Sequence, residues 1–165
     1  MKRILWAAVM VAATLVPAAG WAQSASVLKP EEAKKMLPAT VYYKGQQAPT
    51  EARNTWGIKF DDGGYLLITL VDNSGYSTGV AQKYQAWVAV EEPVTVGGKA
   101  LGAGVYGAGF VDGKFVITDI GAHELLTADA INDQEMRRPM PLQILADQNG
   151  GFRVYAGRMY VVVKK

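Results

Sequence analysis

Apolar residues in this chain alternate with polar ones over short runs, and glycine, proline, aspartate or asparagine closes each run. The clearest case is 91–120, EEPVTVGGKALGAGVYGAGFVDGKFVITDI. Gly97-Gly98 and Asp112-Gly113 mark two turns there, because glycine takes the positive φ that tight hairpins require. The pattern predicts three consecutive antiparallel strands, at 94–96, 105–111 and 114–120. Gly107 and Gly109 share one face of the middle strand and leave a flat strip for something bulky, Trp87 or a ligand. Alternation predicts further strands at 39–44, 53–60, 65–72, 142–146, 152–155 and 159–163. Residues 65–72 are nearly all apolar, which predicts burial on both faces.

Residues 80–90 fit two periods. Val80, Tyr84, Trp87 and Val88 make a helical stripe, while Tyr84, Ala86, Val88 and Val90 alternate as in a strand. A helical turn at 81–84, passing into a strand by Trp87, satisfies both. Residues 30–37 predict a short helix. Pro30 suits its first turn, Glu31 and Glu32 sit at the positive end of its dipole, and Pro38 stops it. Residues 45–50 and 73–79 read as loops, and 121–140 is the least regular stretch. Asn149-Gly150 is a strong hairpin signal, and Gly157 marks a bend or bulge. The expected fold is mostly β: a single antiparallel β-sandwich or small β-barrel domain with one short N-terminal helix. Both architectures obey the same alternation, so the choice between them stays open.

The first residues do not fit this pattern. Met1-Lys2-Arg3 is basic, 4–19 is apolar apart from Thr14 and Pro17, and Gly20 and Ala22 place small residues three and one before a cut. That is the plan of a signal peptide at 1–22. Residues 23–165 are then the single mostly-β domain, exported to the periplasm or the extracellular space. The apolar run is short for a span of about 20 residues, so no membrane span is expected after cleavage. The leader takes Lys2 and Arg3 with it. Of 17 basic residues 15 remain, against 15 acidic ones. A neutral domain has no global field to draw it to nucleic acid. The chain has no cysteine, which removes disulfides, thiolate catalysis and cysteine metal ligation. About 140 residues bury roughly two-thirds of their unfolded surface, enough to hold a domain without staples.

Six stretches carry a family resemblance: LPATVYYKGQQAPTEARN (37–54), LVDNSGYS (70–77), KYQAW (83–87), LGAGVYGAGF (101–110), RRPMPLQ (137–143) and RVYAGRMYV (153–161). In this order they resemble a family of small secreted bacterial proteins of unknown function. The hairpin at 97–107 is also similar to one in a second secreted family of that kind. The resemblance implies a secreted single domain and supplies no activity and no site residues.

Gly75-Tyr76-Ser77-Thr78-Gly79 matches the G-x-S-x-G nucleophile elbow, and Asp119 and His123 follow in α/β-hydrolase order. That elbow needs a parallel sheet with crossover helices, and the meander pattern contradicts it. A polar loop is the simpler reading. His123 is the only histidine. Catalytic zinc usually takes three protein ligands, so a histidine bonded to a loop backbone is expected. Asp61-Asp62 and 129–135 lack calcium-loop spacing. Glu91-Glu92 are adjacent, so in a strand they would face opposite ways, unlike a catalytic carboxylate pair. Tyr42 and Tyr43 are neighbours as well, so one should face in and one out. Arg153 and Arg158 flank the last bend and could bond strand carbonyls or carboxylates.

No catalytic residue, metal or cofactor is expected. The expected function is a noncatalytic extracytoplasmic binding or interaction module. Its partner would be a small amphipathic molecule, a glycan or an envelope component. The best candidates for ligand contact are Trp56, Trp87 and Tyr106, with Arg137 or Arg138 for polar orientation. The competing expectations are a small secreted hydrolase using Ser77 and a purely structural envelope protein whose aromatics are all core. Oligomeric state is not legible.

Overall fold

The computed structural model describes residues 24–165, so the expected leader at 1–22 lies outside the described residues. Two antiparallel sheets pack face to face as a β-sandwich, and no closed barrel forms. The first sheet runs, in spatial order, β1 (Ser26–Leu28), β3 (Gln46–Lys59), β4 (Tyr65–Val71), β5 (Ala86–Val90), β8 (Gly104–Val111), β9 (Lys114–Thr118) and β10 (Glu124–Asp129). A further strand, β2 (Thr40–Tyr43), pairs with the start of β3. The second sheet runs β12 (Met140–Ala146), β13 (Phe152–Gly157), β14 (Met159–Lys164), β6 (Val94–Val96) and β7 (Lys99–Leu101). The two-residue β11 (Ile131–Asn132) also lies on β14. The N-terminal helix is α1 (Pro30–Ala33), continued by a 3₁₀ turn, Lys34–Met36, before the chain becomes extended at Leu37.

Four expectations change. The loop at 45–50 is the start of β3, because Lys44 and Gly45 take φ of 48° and 74° and close a two-residue hairpin. That double positive φ is the signature of a type I′ turn, which suits the twist of paired strands. The three-strand meander is divided between the sheets. β6 pairs with a missed strand, β7, in the second sheet, while β8 and β9 pair in the first. Pro93 ends the first crossing, just before β6, and Gly104, at φ 154°, opens β8 after the second. The irregular stretch holds β10 and β11, entered through Ala122 at φ 70°. The helical turn near residue 81 is a helix, α2 (Thr78–Lys83), and β5 starts at Ala86 as the strand period required.

Alternation builds the core. Ile58, Phe60, Leu66, Ile68, Val88 and Ile117 point from the first sheet toward Val154, Val161, Val163 and Ile144 of the second. Full burial of such side chains contributes about 1.5–3 kcal/mol each. The other face of β4 is also covered, as its apolar run implied. Val71 joins Val41, Tyr43, Ala48 and Tyr84 in a second, outer cluster under β2 and α2. Tyr43 stacks on Tyr84 with ring centroids 3.7 Å apart, and Tyr76 meets both edge-on. The glycine strip is what this cluster rests on. A Cβ on Gly107 would come 2.5 Å from Tyr43 Cε2, and one on Gly109 would come 2.7 Å from the Gln82 carbonyl. Tyr43 and the end of α2 occupy the strip, in place of Trp87 or a ligand.

Candidate functional site

A groove of about 760 Å³ opens on the outer face of the second sheet. Strand alternation makes its floor. Phe152, Val154, Val161 and Val163 face the core, so Arg153, Tyr155, Tyr160, Val162 and Lys164 face out. Tyr155 and Tyr160 are directly opposite in the β13–β14 ladder, with ring centroids 4.9 Å apart. The Gly157–Arg158 turn that joins these strands starts with Gly157 at φ 62°. One wall is the β6–β7 turn, Gly97-Gly98, with Thr95 and Lys99. Lys114, Thr127, Asp129 and Ile131 continue it from the β9–β10 hairpin and β11. Asp147 and Asn149, from the β12–β13 turn, form the other wall. Gly97 must be glycine. Its φ is 56°, and a Cβ there would come 2.5 Å from Ala128 Cβ, where β10 abuts the turn.

Arg153 is the fixed cation of the groove. Its guanidinium lies 4.8 Å from the Tyr160 ring centroid, in the cation–π range. Nε and Nη2 donate to Asp147 Oδ1 at 3.2 and 2.9 Å, and Nη1 reaches the Tyr155 hydroxyl at 3.5 Å. Tyr155 in turn donates to Asp133 at 2.9 Å. The Asp147 side chain is only 6% exposed. Burial pushes its carboxyl up, but the Asn149 N–H, the Arg153 guanidinium and the Lys164 charge outweigh that and hold it below the usual carboxylate range. The other cations are held more loosely. Lys99 donates to the Thr127 carbonyl at 2.5 Å, Lys164 to the Asn149 carbonyl at 3.1 Å, and Lys114 pairs with Asp129. That pairing, first through the hydrogen bond and then through charge, lowers the Asp129 carboxyl.

The five residues expected to contact ligand are scattered. Trp56 is buried between the sheets, and its indole N–H has no hydrogen-bond partner among the described residues. Trp87 sits on the opposite face of the first sheet, against the tyrosine cluster. Tyr106 packs at the margin of the core and donates to the Gly102 carbonyl at 2.9 Å. Arg137 and Arg138 are exposed between β11 and β12. None of the five lines the groove. Tyr42 and Tyr43 divide as expected, at 65% and 1% exposure, although Tyr43 enters the outer cluster. Arg153 bonds a carboxylate, Asp147, as expected, whereas Arg158 Nη1 bonds the carbonyls of Gln134 and Met136, which lie in the β11–β12 loop and not on a strand. The groove residues missed at first were legible in RVYAGRMYVVVKK. Its two-residue turn puts Arg153, Tyr160, Val162 and Lys164 on one face.

Of the hydrolase candidates, Asp119 and His123 pair with each other, but Ser77 is not on a nucleophile elbow. Ser77 caps α2 six residues after β4 ends, with φ −61° and ψ 152°. That backbone is relaxed, whereas a nucleophile elbow is a strained strand-to-helix turn. His123 is paired through Nδ1 with Asp119 Oδ2 at 3.0 Å, on an exposed turn; the ring bonds a carboxylate where a backbone contact was expected. The His123 N–H and ring, with the Gly121 N–H, hold the Asp119 carboxyl below its ordinary range. Glu91 accepts from the Tyr65 N–H, while Glu92 pairs with Lys165, so the two glutamates have separate duties. Among the described residues no three His, Cys, Asp or Glu side chains converge as metal ligands, and no helix is long and apolar enough to cross a membrane. No known family model matches the chain, and no curated protein or solved structure matches it significantly.

Proposed function

We propose that the chain is a noncatalytic binding module working outside the cytoplasm, and that the groove on the second sheet holds its ligand. The observation that carries this reading is the Arg153–Tyr160 platform, locked by Asp147 at the centre of a groove of about 760 Å³. Sites for small molecules fall at roughly 300–1,000 Å³ and combine apolar surface with a few fixed polar groups. Val162, Ile131 and the tyrosine supply the first here, and Arg153, Thr95, Thr127 and Asn149 supply the second. A glycan fragment or another small amphipathic molecule matches that mixture.

Amide chemical shifts in ¹⁵N-labelled protein test the reading against a panel of oligosaccharides, cell-wall fragments and lipid headgroups. Saturable shifts confined to Gly97, Gly98, Thr127, Asn149 and Tyr160 support it. Shifts that gather elsewhere overturn the groove as the site, and none across the panel overturns binding and leaves the purely structural role. The extracytoplasmic setting rests on the expected leader at 1–22, and the resemblance of six stretches between 37 and 161 to a small secreted bacterial family agrees with it. Mass spectrometry of the protein made by its own cell should find an N-terminus near Gln23. An intact Met1 in the cytoplasmic fraction overturns export.

A further inference from the structure

We infer that the ligand of this groove is an acidic oligosaccharide, one whose carboxylate or phosphate groups meet Lys99, Lys114, Arg153 and Lys164. The inference rests on the groove being the binding site, and goes further by naming the class. The argument is a count of uncommitted hydrogen-bond capacity. Each lysine ammonium has three N–H donors and no acceptor. Lys99, Lys114 and Lys164 each spend one, on Thr127, Asp129 and Asn149 respectively. Two remain on each. Arg153 has five N–H donors and spends three, on Asp147 and Tyr155. Two remain there as well.

The negative charge of the groove is already paired. Its two carboxylates, Asp129 and Asp147, are paired with Lys114 and Arg153. Four cations against two carboxylates leave the lining with a surplus of positive charge, although the mature chain as a whole is balanced. A ligand rich in acceptors and carrying negative charge satisfies this surplus, whereas an ammonium-bearing ligand is repelled by it. The rest of the lining selects a sugar over a bare anion. Thr95, Thr127 and Asn149 offer hydroxyl and amide groups to ligand hydroxyls, and Val162 and Ile131 offer apolar surface to the C–H face of a ring. Held cations also lose less freedom on binding than mobile ones, which favours the bound state.

Isothermal titration at low salt tests the class with four probes: trigalacturonate, a maltotriose phosphate, neutral maltotriose and inorganic phosphate. At least one acidic sugar should bind tenfold or more tighter than maltotriose and than phosphate, and the ratio of the two acidic sugars identifies the preferred group. Raising NaCl from about 0.05 to about 0.5 M should weaken that binding, because mobile ions screen exposed charges. The double variant Lys99→Gln, Lys114→Gln should weaken it tenfold or more and leave maltotriose unaffected. Both lysines are exposed, so the fold should survive, and an unchanged amide spectrum checks this. If maltotriose shifts the groove amides as strongly as the acidic probes and the lysine variant binds normally, the acidic class is wrong while the groove stands. If phosphate alone binds as tightly as the sugars, the sugar component is wrong. If no probe moves a groove amide, the groove itself is wrong as the site.

Discussion

Two tyrosines in the outer cluster separate packing from hydrogen bonding. Tyr43 and Tyr84 are both almost fully buried and stacked on each other. The Tyr43 hydroxyl meets Thr118 Oγ1 at 2.6 Å, whereas the Tyr84 hydroxyl has no partner among the described residues. Burial pushes both phenols above their ordinary pKa, Tyr84 further. A buried hydroxyl without a partner costs desolvation and returns nothing, while a satisfied one contributes about 1 kcal/mol. Tyr84→Phe should therefore leave stability unchanged or raise it, and Tyr43→Phe should lower it by about 1 kcal/mol. Urea denaturation followed by tryptophan fluorescence checks both. A clear loss in Tyr84→Phe would mean that its hydroxyl is satisfied after all. The sequence said that one of Tyr42 and Tyr43 faces inward. It could not say which, because that depends on the register of β2 against β3, and the register was hidden in a turn that needs Lys44 at positive φ.

At the scale of elements, strands with unbroken alternation were legible and crossings between sheets were not. The β13–β14 hairpin was readable because Gly157 sits between two clean alternating runs. The division of 94–118 between two sheets was not readable, since a strand has the same period whichever sheet it joins. Helix α2 lies between these cases. It has no capping side chain and only six residues, so its own propensity is weak, and packing on the glycine strip supports it. Gly109→Ala would drive a Cβ to 2.7 Å from the Gln82 carbonyl and 3.0 Å from Lys83 C. Backbone cannot swing aside as a side chain can, so α2 has to lift. The expected cost is about 1–3 kcal/mol, typical of overpacking. Gly79→Ala is the control, because nothing lies within 4 Å of its Cβ position. In a helix that change should stabilise, by up to about 1 kcal/mol. Equal effects from the two variants would show that α2 does not depend on close approach to β8.

The whole molecule is a sandwich whose outermost strands carry unequal risk, and β1 tests this. It is three residues long and covers the edge of β3, the longest strand at 14 residues, only at Gly57–Lys59. Ser26, Val27 and Leu28 pair with Lys59, Ile58 and Gly57, and Val27 packs against the main core. Gly57 is shaped by that contact, since a Cβ there would lie 3.3 Å from Leu28 Cδ1 and 2.8 Å from Leu67 Cδ2. A chain starting at Gln23 keeps β1 and is the reference for urea unfolding. A chain starting at Lys29 loses β1. Removing Val27 and Leu28 should cost about 1.5–3 kcal/mol for each side chain that was fully covered, and less in proportion to its exposure. The larger effect should be on association. An uncovered long strand offers unpaired N–H and C=O groups to another copy, and such edges promote aggregation. Light scattering of the shorter chain should therefore rise with protein concentration, while the chain from Gln23 stays monodisperse. If the two chains match in both stability and scattering, β3 is protected without β1, by β2, α1 and β12, which also lie against it. The first strand would then be dispensable.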